Sequence, residues 1–424
     1  MTRRPAGTTR PRRIPREPEA SDRASTGRGG PLSGLRVLVA HPGAEFYGSD
    51  RVVLESVVAM VQAGAVVDVT VPETGPLVDE LERAGAAVAV EPALVLRKRI
   101  LRPRNWLSTA AVAVRALGAS RRLLRPKPDL VYVNTITLPL WPLLARIRSI
   151  PVLTHIHEAE ADASRLMLRA LYLPHLCANA TVANSEFSRS IAARAYRSLG
   201  RRTRVIYNGV AGPDTASPAR RSLADPPVHL AYVGRLSPRK GTDVVIDATA
   251  ELIDDGVDVD LDVLGEAFSG YGWYVDELRE TVTRRGLDSH VHFLGFRDEI
   301  WETLEAADVV VVPSRAGEPF GNTAVEAALA ARPLIVSESS GLLEATRGLP
   351  GVHRVRPGEA SAIAGAVREI VAHWPDERAR AASAARLASL RFDPDRYRGS
   401  IVELVAAVVA RRASRPDGRE RGGR

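Results

Sequence analysis

The chain has 424 residues, of which 45% are hydrophobic and 25% charged, and its formal net charge is +8. That length exceeds one ordinary hydrophobic core and suggests two domains. Cys177 is the only cysteine, which excludes an internal disulfide and a cysteine-based zinc site and favours a reducing compartment. No apolar run reaches about 18 residues, so we expect no membrane-spanning helix, and the Arg-, Pro- and Gly-rich N-terminus is not a signal peptide.

The positive charge is concentrated in two tails. Residues 1–33 hold eight arginines and three acidic residues, and residues 411–424 hold six arginines and two acidic residues. The body between them therefore has a net charge of −1. We interpret 1–33 and 412–424 as disordered basic tails, and we do not expect the folded body to bind nucleic acid.

The first half of the body alternates apolar runs with amphipathic stretches, which predicts strands and helices around a parallel sheet. Strands are predicted at Leu35–Ala40, Val66–Val71, Ala87–Val90, Leu130–Val133, Val152–Thr154 and Ala180–Ala183, with a strand and turn over Val205–Val210. The helix over Arg51–Ala63 is expected to be capped by Ser49 or Asp50. His155 and His157 are expected just past the fifth strand, at the edge where open α/β sheets bind ligands.

One segment of the first half is strongly basic. From Pro92 to Pro128 there are ten lysines and arginines and no acidic residue, with Trp106 and several leucines interleaved. Such a mixture suits a surface that rests on anionic lipid headgroups. A solvated helix face with ordinary core contacts is the alternative.

The second half repeats the alternation after a Pro-, Ser- and Ala-rich stretch, 211–227, which we interpret as a linker. Strands are predicted at Val228–Val233, Val259–Leu264, His290–Phe293, Val309–Val312 and Pro333–Val336. A last helix, over 394–411, exceeds what the second domain needs and could pack on the first. The predicted domains are therefore 34–210 and 228–393. Neither a G-x-G-x-x-G after the first strand nor a Walker A motif is present, which counts against a dehydrogenase and an NTPase.

Two loops of the second half carry chemistry. Glu318 and Glu326 lie on either side of a strand–loop–helix junction, where free backbone N–H groups favour an anion. Thr323 and Glu326 also fit a capping box, the plain structural interpretation. The loop 234–241 (GRLSPRKG) holds three cations after a strand, which suits a phosphate or diphosphate, although Thr242 could simply cap the next helix. Cations for a diphosphate together with carboxylates for sugar hydroxyls describe a nucleotide-sugar pocket.

At this point the sequence resembles glycosyltransferase family 4. The second half carries the resemblance at 233–248 (VGRLSPRKGTDVVIDA), 293–314 (FLGFRDEIWETLEAADVVVVPS) and 318–337 (EPFGNTAVEAALAARPLIVS), and the first half carries it more weakly at 47–55, 182–190 and 205–210. The resemblance covers about 34–411. It implies an α/β protein of GT-B architecture, in which two Rossmann-like domains face each other and a C-terminal helix returns to the first.

The resemblance also implies roles for single residues. Arg235 and Lys240 would bind the donor diphosphate and neutralise the leaving group, without a metal ion or other cofactor. Glu326 would bind the ribose hydroxyls, and Glu318 would lie at the transferred sugar. The other donor-binding positions would be Gly234, Gly295, Phe296 and Arg297, the last three beside the nucleobase, together with Phe320, Gly321, Asn322 and Thr323. Gly48, Ser49 and Asp50 would form the acceptor side, although many relatives have Ala-Glu where this chain has Ser49-Asp50.

Family members often place a histidine just past the fifth strand, near the donor sugar. His155 and His157 are both candidates, and as alternating residues we expect them to point in opposite directions. We prefer His157, because His157-Glu158 resembles the family's histidine followed by an acid. Its catalytic partners would be Glu318, Arg235 and Lys240.

The expected function is transfer of a hexosyl group from a UDP- or GDP-sugar, with retention, to a glycan, lipid-linked or small-molecule acceptor. Cell-surface polysaccharide or glycolipid synthesis is the expected setting. The expected location is the cytoplasm or, through 92–128, the inner face of the cell membrane. A non-catalytic nucleotide-sugar-binding protein and a nucleotide-sugar epimerase on the same fold are the alternatives.

Overall fold

A computed structural model describes residues 29–97, 106–213, 217–267, 270–297 and 299–413. Most of the two predicted tails, residues 98–105 of the basic segment and residues 214–216 of the predicted linker lie outside the described residues. Within the described part, two separate parallel sheets are each covered by helices. The predicted GT-B architecture is therefore confirmed.

The first sheet has seven parallel strands in the order β3-β2-β1-β4-β5-β6-β7. Its strands are β1 (Arg36–Ala40), β2 (Val66–Val71), β3 (Ala87–Val90), β4 (Leu130–Val133), β5 (Val152–Ile156), β6 (Ala180–Ala183) and β7 (Thr203–Val205). The helices of this half are α1 (Gly48–Gln62), α2 (Pro76–Arg83), α3 (Trp106–Leu123), α4 (Leu140–Ile147), α5 (Arg165–Tyr172), α6 (Glu186–Ala195) and α7 (Arg197–Arg202).

The second sheet has six parallel strands in the order β10-β9-β8-β11-β12-β13. Its strands are β8 (Val228–Val233), β9 (Val259–Leu264), β10 (Val291–Gly295), β11 (Val309–Val312), β12 (Leu334–Ser337) and β13 (Val352–Val355). The helices are α8 (Thr242–Asp254), α9 (Gly272–Arg284), α10 (Trp301–Ala306), α11 (Asn322–Leu329), α12 (Ser340–Ala345), α13 (Ala360–Ala372), α14 (Trp374–Arg391) and α15 (Pro394–Ala413).

The central strands are apolar on both faces, because helices cover both sides of each sheet. All four valines of β11 are buried, and so are all four residues of β4. In each sheet the strand order reverses beside the first strand, between β1 and β4 and between β8 and β11. Ligands of open α/β sheets bind outside the carboxyl ends of the strands at such reversals, and the loops described below lie there.

The last helix returns to the first half, as expected. Tyr397, Ile401, Val405 and Val408 of α15 are buried in the core that also contains β1, β2 and α1. The Tyr397 hydroxyl lies 2.6 Å from the Ser56 hydroxyl of α1, and Arg398 pairs with Glu55 at 2.7 Å. The C-terminal helix therefore fastens the two halves together.

Several predicted bounds were wrong. The helix α1 begins at Gly48 rather than Arg51, and its cap residue is Tyr47 rather than Ser49 or Asp50. The strand β5 continues through His155 to Ile156. The strand near Val205 lies earlier in the chain, at β7, and β13, α7, α12 and α14 had no counterpart in the prediction. The domain boundaries stay predictions, and no helix in the described ranges is long and apolar enough to cross a membrane.

Candidate active site

The loops at the carboxyl ends of the two sheets face each other across a cleft. A cavity of about 260 Å³ opens there, lined by both halves of the chain. A smaller, more apolar pocket adjoins it and shares some of the same residues. Most of the predicted site residues line one of the two cavities: Gly48, Ser49, His157, Gly234, Arg235, Lys240, Phe296, Arg297, Glu318, Phe320, Gly321, Asn322, Thr323 and Glu326. Gly295 and Asp50 do not line either cavity.

The loop after β8 places Arg235, Arg239 and Lys240 in the lining of the larger cavity. A short 3₁₀ turn, Pro238–Lys240, ends at Gly241, whose φ is +73°. A Cβ atom on Gly241 would lie 2.2 Å from the carbonyl oxygen of Pro313, so only glycine lets this loop pack against the end of β11. Gly241, and not Thr242, is the cap residue of α8.

Glu318 is the partner of these cations. The Lys240 Nζ atom lies 2.9 Å from both carboxylate oxygens of Glu318, and Arg239 approaches within 3.4 Å. Burial alone would raise the pKa of Glu318, but the charges of Lys240 and Arg239 and hydrogen bonds from Lys240 and Ser314 hold it below its usual value. Glu318 is therefore an ionised carboxylate that fixes Lys240 at the cavity wall.

Arg235 reaches across the cleft. Its guanidinium pairs with Glu45 of the first half at 2.9 Å and lies 4.3 Å from the centre of the Tyr47 ring. The Tyr47 ring in turn meets the Phe296 ring edge-on, with centroids 5.4 Å apart. Because cation–π and edge-to-face contacts are each worth about 1 kcal/mol, this aromatic cluster helps close the cleft beside the smaller pocket.

The helix α11 points its N-terminus into the larger cavity. Gly321 precedes it with a φ of +98°, which only glycine adopts readily. The first-turn N–H groups of a helix have no partner within that helix and carry partial positive charge. Asn322 begins this turn and accepts a hydrogen bond from Asn208 at 2.8 Å. The Phe320 side chain is buried against Tyr207 and Phe392, so only its backbone is available to a ligand.

Glu326 does not form the capping box that Thr323 and Glu326 suggested, because no side chain caps α11. Its carboxylate is buried at the smaller pocket, 3.9 Å from Arg51 of the first half. Burial raises the pKa of Glu326, and the charges of Arg51 and Lys240 offset only part of that effect. A buried carboxylate without close donors can accept hydrogen bonds from ligand hydroxyls.

The expected divergence of His155 and His157 was wrong. Their ring centroids lie 3.9 Å apart, because residues two apart in an extended strand point to the same side. His155 is completely buried within β5, and its Nδ1 atom is hydrogen-bonded to the Tyr132 hydroxyl at 2.6 Å. His157 follows the strand and lines the larger cavity. Of the two, His157 alone lines the site.

The predicted acceptor side divides into two environments. Gly48 and Ser49 line the larger cavity, and a Cβ atom on Gly48 would lie 3.2 Å from the Asn322 side chain. Asp50 is buried instead, and its carboxylate accepts from the Tyr47 backbone N–H at 2.9 Å and contacts His41 at 2.7 Å. Asp50 therefore contacts residues around the cavity and does not line the cavity itself.

The sequence interpretation missed several residues of the cleft. Glu45, Tyr47, Asn208, His41 and Asn134 were not among its candidates, although each lies at or near the carboxyl end of a strand. Their position just past an apolar run was the available signal. Across the described ranges, no group of three or more His, Cys, Asp or Glu residues is placed to hold a metal ion.

Two family models match the chain. The model described as glycosyl transferases group 1 matches residues 215–388, and the model of glycosyltransferase family 4 matches residues 46–211. The matches meet in the predicted linker and between them include the second sheet and every strand of the first sheet except β1.

Two curated relatives resemble parts of the chain. Glycogen synthase of Mycobacterium tuberculosis (strain ATCC 25618 / H37Rv) is 35% identical over 194 residues, which are 45% of this chain and 44% of the relative. The GDP-mannose-dependent alpha-(1-6)-phosphatidylinositol dimannoside mannosyltransferase of Mycobacterium tuberculosis (strain ATCC 25177 / H37Ra) is 34% identical over 183 residues, 42% of this chain and 44% of the relative. The match thus spans under half the length of each relative.

A solved structure shares the whole fold. The crystal structure of Anabaena Alr3699/HepE in complex with UDP and glucose superposes with a TM-score of 0.73 at 24% sequence identity, covering 88% of this chain and 100% of that chain.

Proposed function

Because the chain belongs to glycosyltransferase family 4, whose models match about four fifths of its length, we propose that it transfers a hexosyl group from a nucleotide-sugar, UDP- or GDP-linked. Transfer proceeds with retention of configuration at the anomeric carbon. The observation that carries this proposal is the convergence of Arg235, Lys240 and the N-terminus of α11 on one cavity between the sheets. Three sources of positive charge in one cleft suit a diphosphate.

In this proposal the diphosphate lies between Lys240 and the first turn of α11. Lys240 contacts Glu318, so diphosphate binding shares this ammonium group between two anions. The leaving diphosphate gains negative charge as the sugar–oxygen bond breaks, and the fixed cations stabilise that charge without a metal ion. Arg235 is ion-paired with Glu45, and when the donor binds, its guanidinium exchanges that partner for the diphosphate.

The nucleoside occupies the smaller pocket. Glu326 accepts hydrogen bonds from the ribose hydroxyls, and Gly295, Phe296 and Arg297 lie beside the nucleobase. Phe296 and Arg297 line this pocket together with Glu326. HepE, whose crystal structure contains UDP and glucose, has the same fold, which supports a nucleoside diphosphate as part of the donor.

A donor-binding screen tests the proposal. Each of several UDP- and GDP-sugars is added to the full chain, and the melting temperature and the release of nucleoside diphosphate are measured. A donor at a hundred times its Kd stabilises the fold by about 2.7 kcal/mol, so the correct donor raises the melting temperature clearly. Stabilisation with turnover in the presence of acceptor supports a transferase, and stabilisation without turnover supports the non-catalytic alternative. The absence of both for every donor would contradict the proposal.

We further propose a lipid-linked acceptor reached from an anionic membrane surface. Trp106 and Leu107 begin α3, soon after the five basic residues of 97–104, and they are 62% and 88% exposed. Of the six basic residues of 92–128 that the structure describes, two are ion-paired, Arg97 with Glu73 and Arg122 with Glu91. The mannosyltransferase relative acts, by its name, on a phosphatidylinositol dimannoside, which supports this choice of acceptor.

Vesicle flotation checks the membrane surface. We expect the chain to float with vesicles containing phosphatidylglycerol and not with pure phosphatidylcholine, because the attraction is electrostatic. The W106S/L107S variant should lose most of the binding, since two apolar anchors are removed. The control is W273S/L390S, which removes a comparable exposed pair from the second half. Equal flotation of the two variants would contradict the assignment of α3.

A further inference from the structure

Four buried polar side chains of the first half form a hydrogen-bonded row that ends at His157. The His41 Nε2 atom lies 2.7 Å from the Asp50 carboxylate. The Asn134 side-chain nitrogen lies 3.0 Å from His41 Nδ1, and the Asn134 side-chain oxygen lies 2.8 Å from His157 Nε2. Asp50, His41, Asn134 and His157 are each at most 8% exposed.

The topology of the sheet brings these four residues together. His41 follows β1, Asn134 follows β4 and His157 follows β5, and these three strands are adjacent and parallel. Asp50 lies in the first turn of α1, whose N-terminus is at the same edge. The carboxyl ends of β1, β4 and β5 therefore each place one polar residue in a single buried row, and the first turn of α1 adds Asp50.

The donors and acceptors of this row are fixed from one end. The Asp50 carboxylate can only accept, so the proton it binds is on His41 Nε2, and in the neutral ring of His41 the lone pair is then on Nδ1. That lone pair accepts from the Asn134 amide nitrogen, so the Asn134 oxygen faces the other way, toward His157. An amide oxygen can only accept, and the proton of His157 therefore lies on Nε2. Its Nδ1 atom carries the lone pair.

We propose that Asp50, His41 and Asn134 are positioning residues that hold His157 in the Nε2–H tautomer, so that Nδ1 is a hydrogen-bond acceptor for the ligand in the cavity. The partner of Nδ1 must then be a hydrogen-bond donor. In a nucleotide-sugar the sugar hydroxyls donate, whereas the phosphate oxygens only accept. His157 thus contacts a hydroxyl of the transferred sugar, an assignment that rests on the proposed function, whereas the tautomer itself does not.

The surroundings of His157 hold its ring neutral and in place. The His155 ring packs against it at 3.9 Å, and the backbone N–H of His157 donates to the Glu158 carboxylate at 3.1 Å. Burial, and then the neighbouring His155 and His41, lower the pKa of His157 well below its usual value. A neutral imidazole has one proton and one lone pair, so the row decides which nitrogen carries each.

Replacing Asp50→Asn should invert the row. The Tyr47 backbone N–H donates to one Asp50 oxygen and can only donate, so in the variant the oxygen of the new side-chain amide must face it and the amide nitrogen must face His41. His41 then needs its lone pair on Nε2 and its proton on Nδ1. Asn134 turns over in response and presents its nitrogen to His157, whose proton moves to Nδ1.

A second substitution should restore the tautomer. In the D50N/N134D variant the new carboxylate at position 134 accepts from His41 Nδ1–H on one side and from His157 Nε2–H on the other. The net charge of the row is unchanged relative to the natural protein. A purely structural role for Asp50 gives no reason for this rescue.

The test is long-range ¹H–¹⁵N spectroscopy of the [¹⁵N]histidine-labelled full chain, with His157→Gln identifying the His157 signals among nine histidines. We expect the Nε2–H pattern in the natural protein and in D50N/N134D, and the Nδ1–H pattern in D50N. The exposed Asp79 at the start of α2 provides the control variant D79N, which should keep the natural pattern. A folded D50N protein that retains the Nε2–H tautomer, or no rescue in the double variant, would overturn the proposal.

Activity supplies the second readout. Loss of one neutral hydrogen bond to the sugar should lower kcat/KM for the donor about tenfold in D50N, with the KM for the acceptor unchanged and the loss reversed in D50N/N134D. If the tautomers respond as described but no donor is turned over by any variant, the positioning row stands and the proposed function fails. If donor turnover responds without any change of tautomer, the row is overturned and the proposed function stands.

Discussion

Two glutamates eight residues apart, Glu318 and Glu326, have opposite electrostatic environments. The carboxylate of Glu318 lies 2.9 Å from the Lys240 Nζ atom and accepts a hydrogen bond from Ser314, so its ionised form is stabilised. Glu326 is also buried, but its charged neighbour Arg51 is 3.9 Å away, and burial dominates. One carboxylate is satisfied within the protein, and the other retains acceptor capacity for a ligand.

Glu326→Gln is therefore expected to stabilise the protein while weakening donor binding. Because the pKa of Glu326 is raised in the folded protein, its carboxyl group loses its proton at a lower pH in the unfolded chain than in the folded protein. The free energy of unfolding therefore falls as the pH rises from the pKa of the unfolded chain to that of the folded protein, and it stays reduced above that range. The variant should melt a few degrees higher than the natural protein at about pH 8, and the difference should vanish at about pH 4.

Differential scanning fluorimetry across this pH range, with and without donor, measures both effects. The exposed Glu277 of α9 gives the control E277Q, which should show neither. A lower melting temperature of E326Q at neutral pH would mean that the pair with Arg51 outweighs burial, contrary to this account.

The sequence revealed the residues of the second half more fully than those of the first. Glu318, Lys240 and Arg235 belong to contiguous motifs, so their types and spacing were visible. His41 and Asn134 are 93 residues apart and meet only because β1 and β4 are neighbours in register. The packing of the His155 ring against the His157 ring follows from strand periodicity, in which residues two apart point to the same side. Opposite directions were predicted because the two histidines were treated as alternating residues.

At the scale of elements, buried parallel strands were the most predictable part of the fold. Continuous runs such as β11 and β4 are apolar on both faces, and their predicted bounds are those of the structure. The helix α14 was missed because it buries mostly alanines, Ala381, Ala384 and Ala388, which give little apolar periodicity. The strand β13 was missed because its VHRV sequence has two polar residues at the edge of the sheet.

A carboxylate of the second half lies at the N-terminus of a helix of the first half. Glu344 of α12 accepts hydrogen bonds from the backbone N–H groups of Glu186 and Phe187, at 2.7 and 3.0 Å. These groups begin α6, where a carboxylate is favoured by the free N–H groups and the helix dipole. Glu344 therefore serves as an N-terminal cap supplied by the other domain.

Glu344→Ala should loosen the closed arrangement. The two N–H groups of α6 would lose their partner, at a cost of about 1–3 kcal/mol each when they stay buried, so opening the cleft to water becomes favourable. Small-angle X-ray scattering should show a larger radius of gyration for E344A than for the natural protein. The control E338A removes an exposed carboxylate from the loop before α12. An E344A protein as compact as this control would show that Glu344 does not hold the two halves together.

At the scale of the whole molecule, the proposed site exists only because two domains meet. The larger cavity takes Tyr47, Ser49 and His157 from the first half and the cation loop and α11 from the second. Arg235 with Glu45, Asn322 with Asn208, and Glu344 with α6 join the halves around it. The helix α15 fixes the far side, so domain movement about the cleft can expose the cavity for binding and close it for reaction.

The fold class could be predicted from the sequence because the strand–helix alternation occurs twice, once on each side of 211–227. The contacts across the cleft could not. They depend on how the two sheets are oriented relative to each other, and no local pattern encodes that orientation. Glu45 and Glu344, which make such contacts, were not among the candidates of the sequence interpretation.

In the proposed function, Arg235 and Lys240 bind a nucleotide diphosphate and stabilise the negative charge that develops on it. Donor turnover by the R235A/K240A variant tests this role most directly, alongside R285A/R368A, which removes two arginines paired with acidic residues of or next to α8. Removing preorganised charge from the leaving group should lower kcat/KM by at least about a hundredfold, with the circular dichroism spectrum unchanged and the control fully active. Full transfer activity in R235A/K240A would contradict the account.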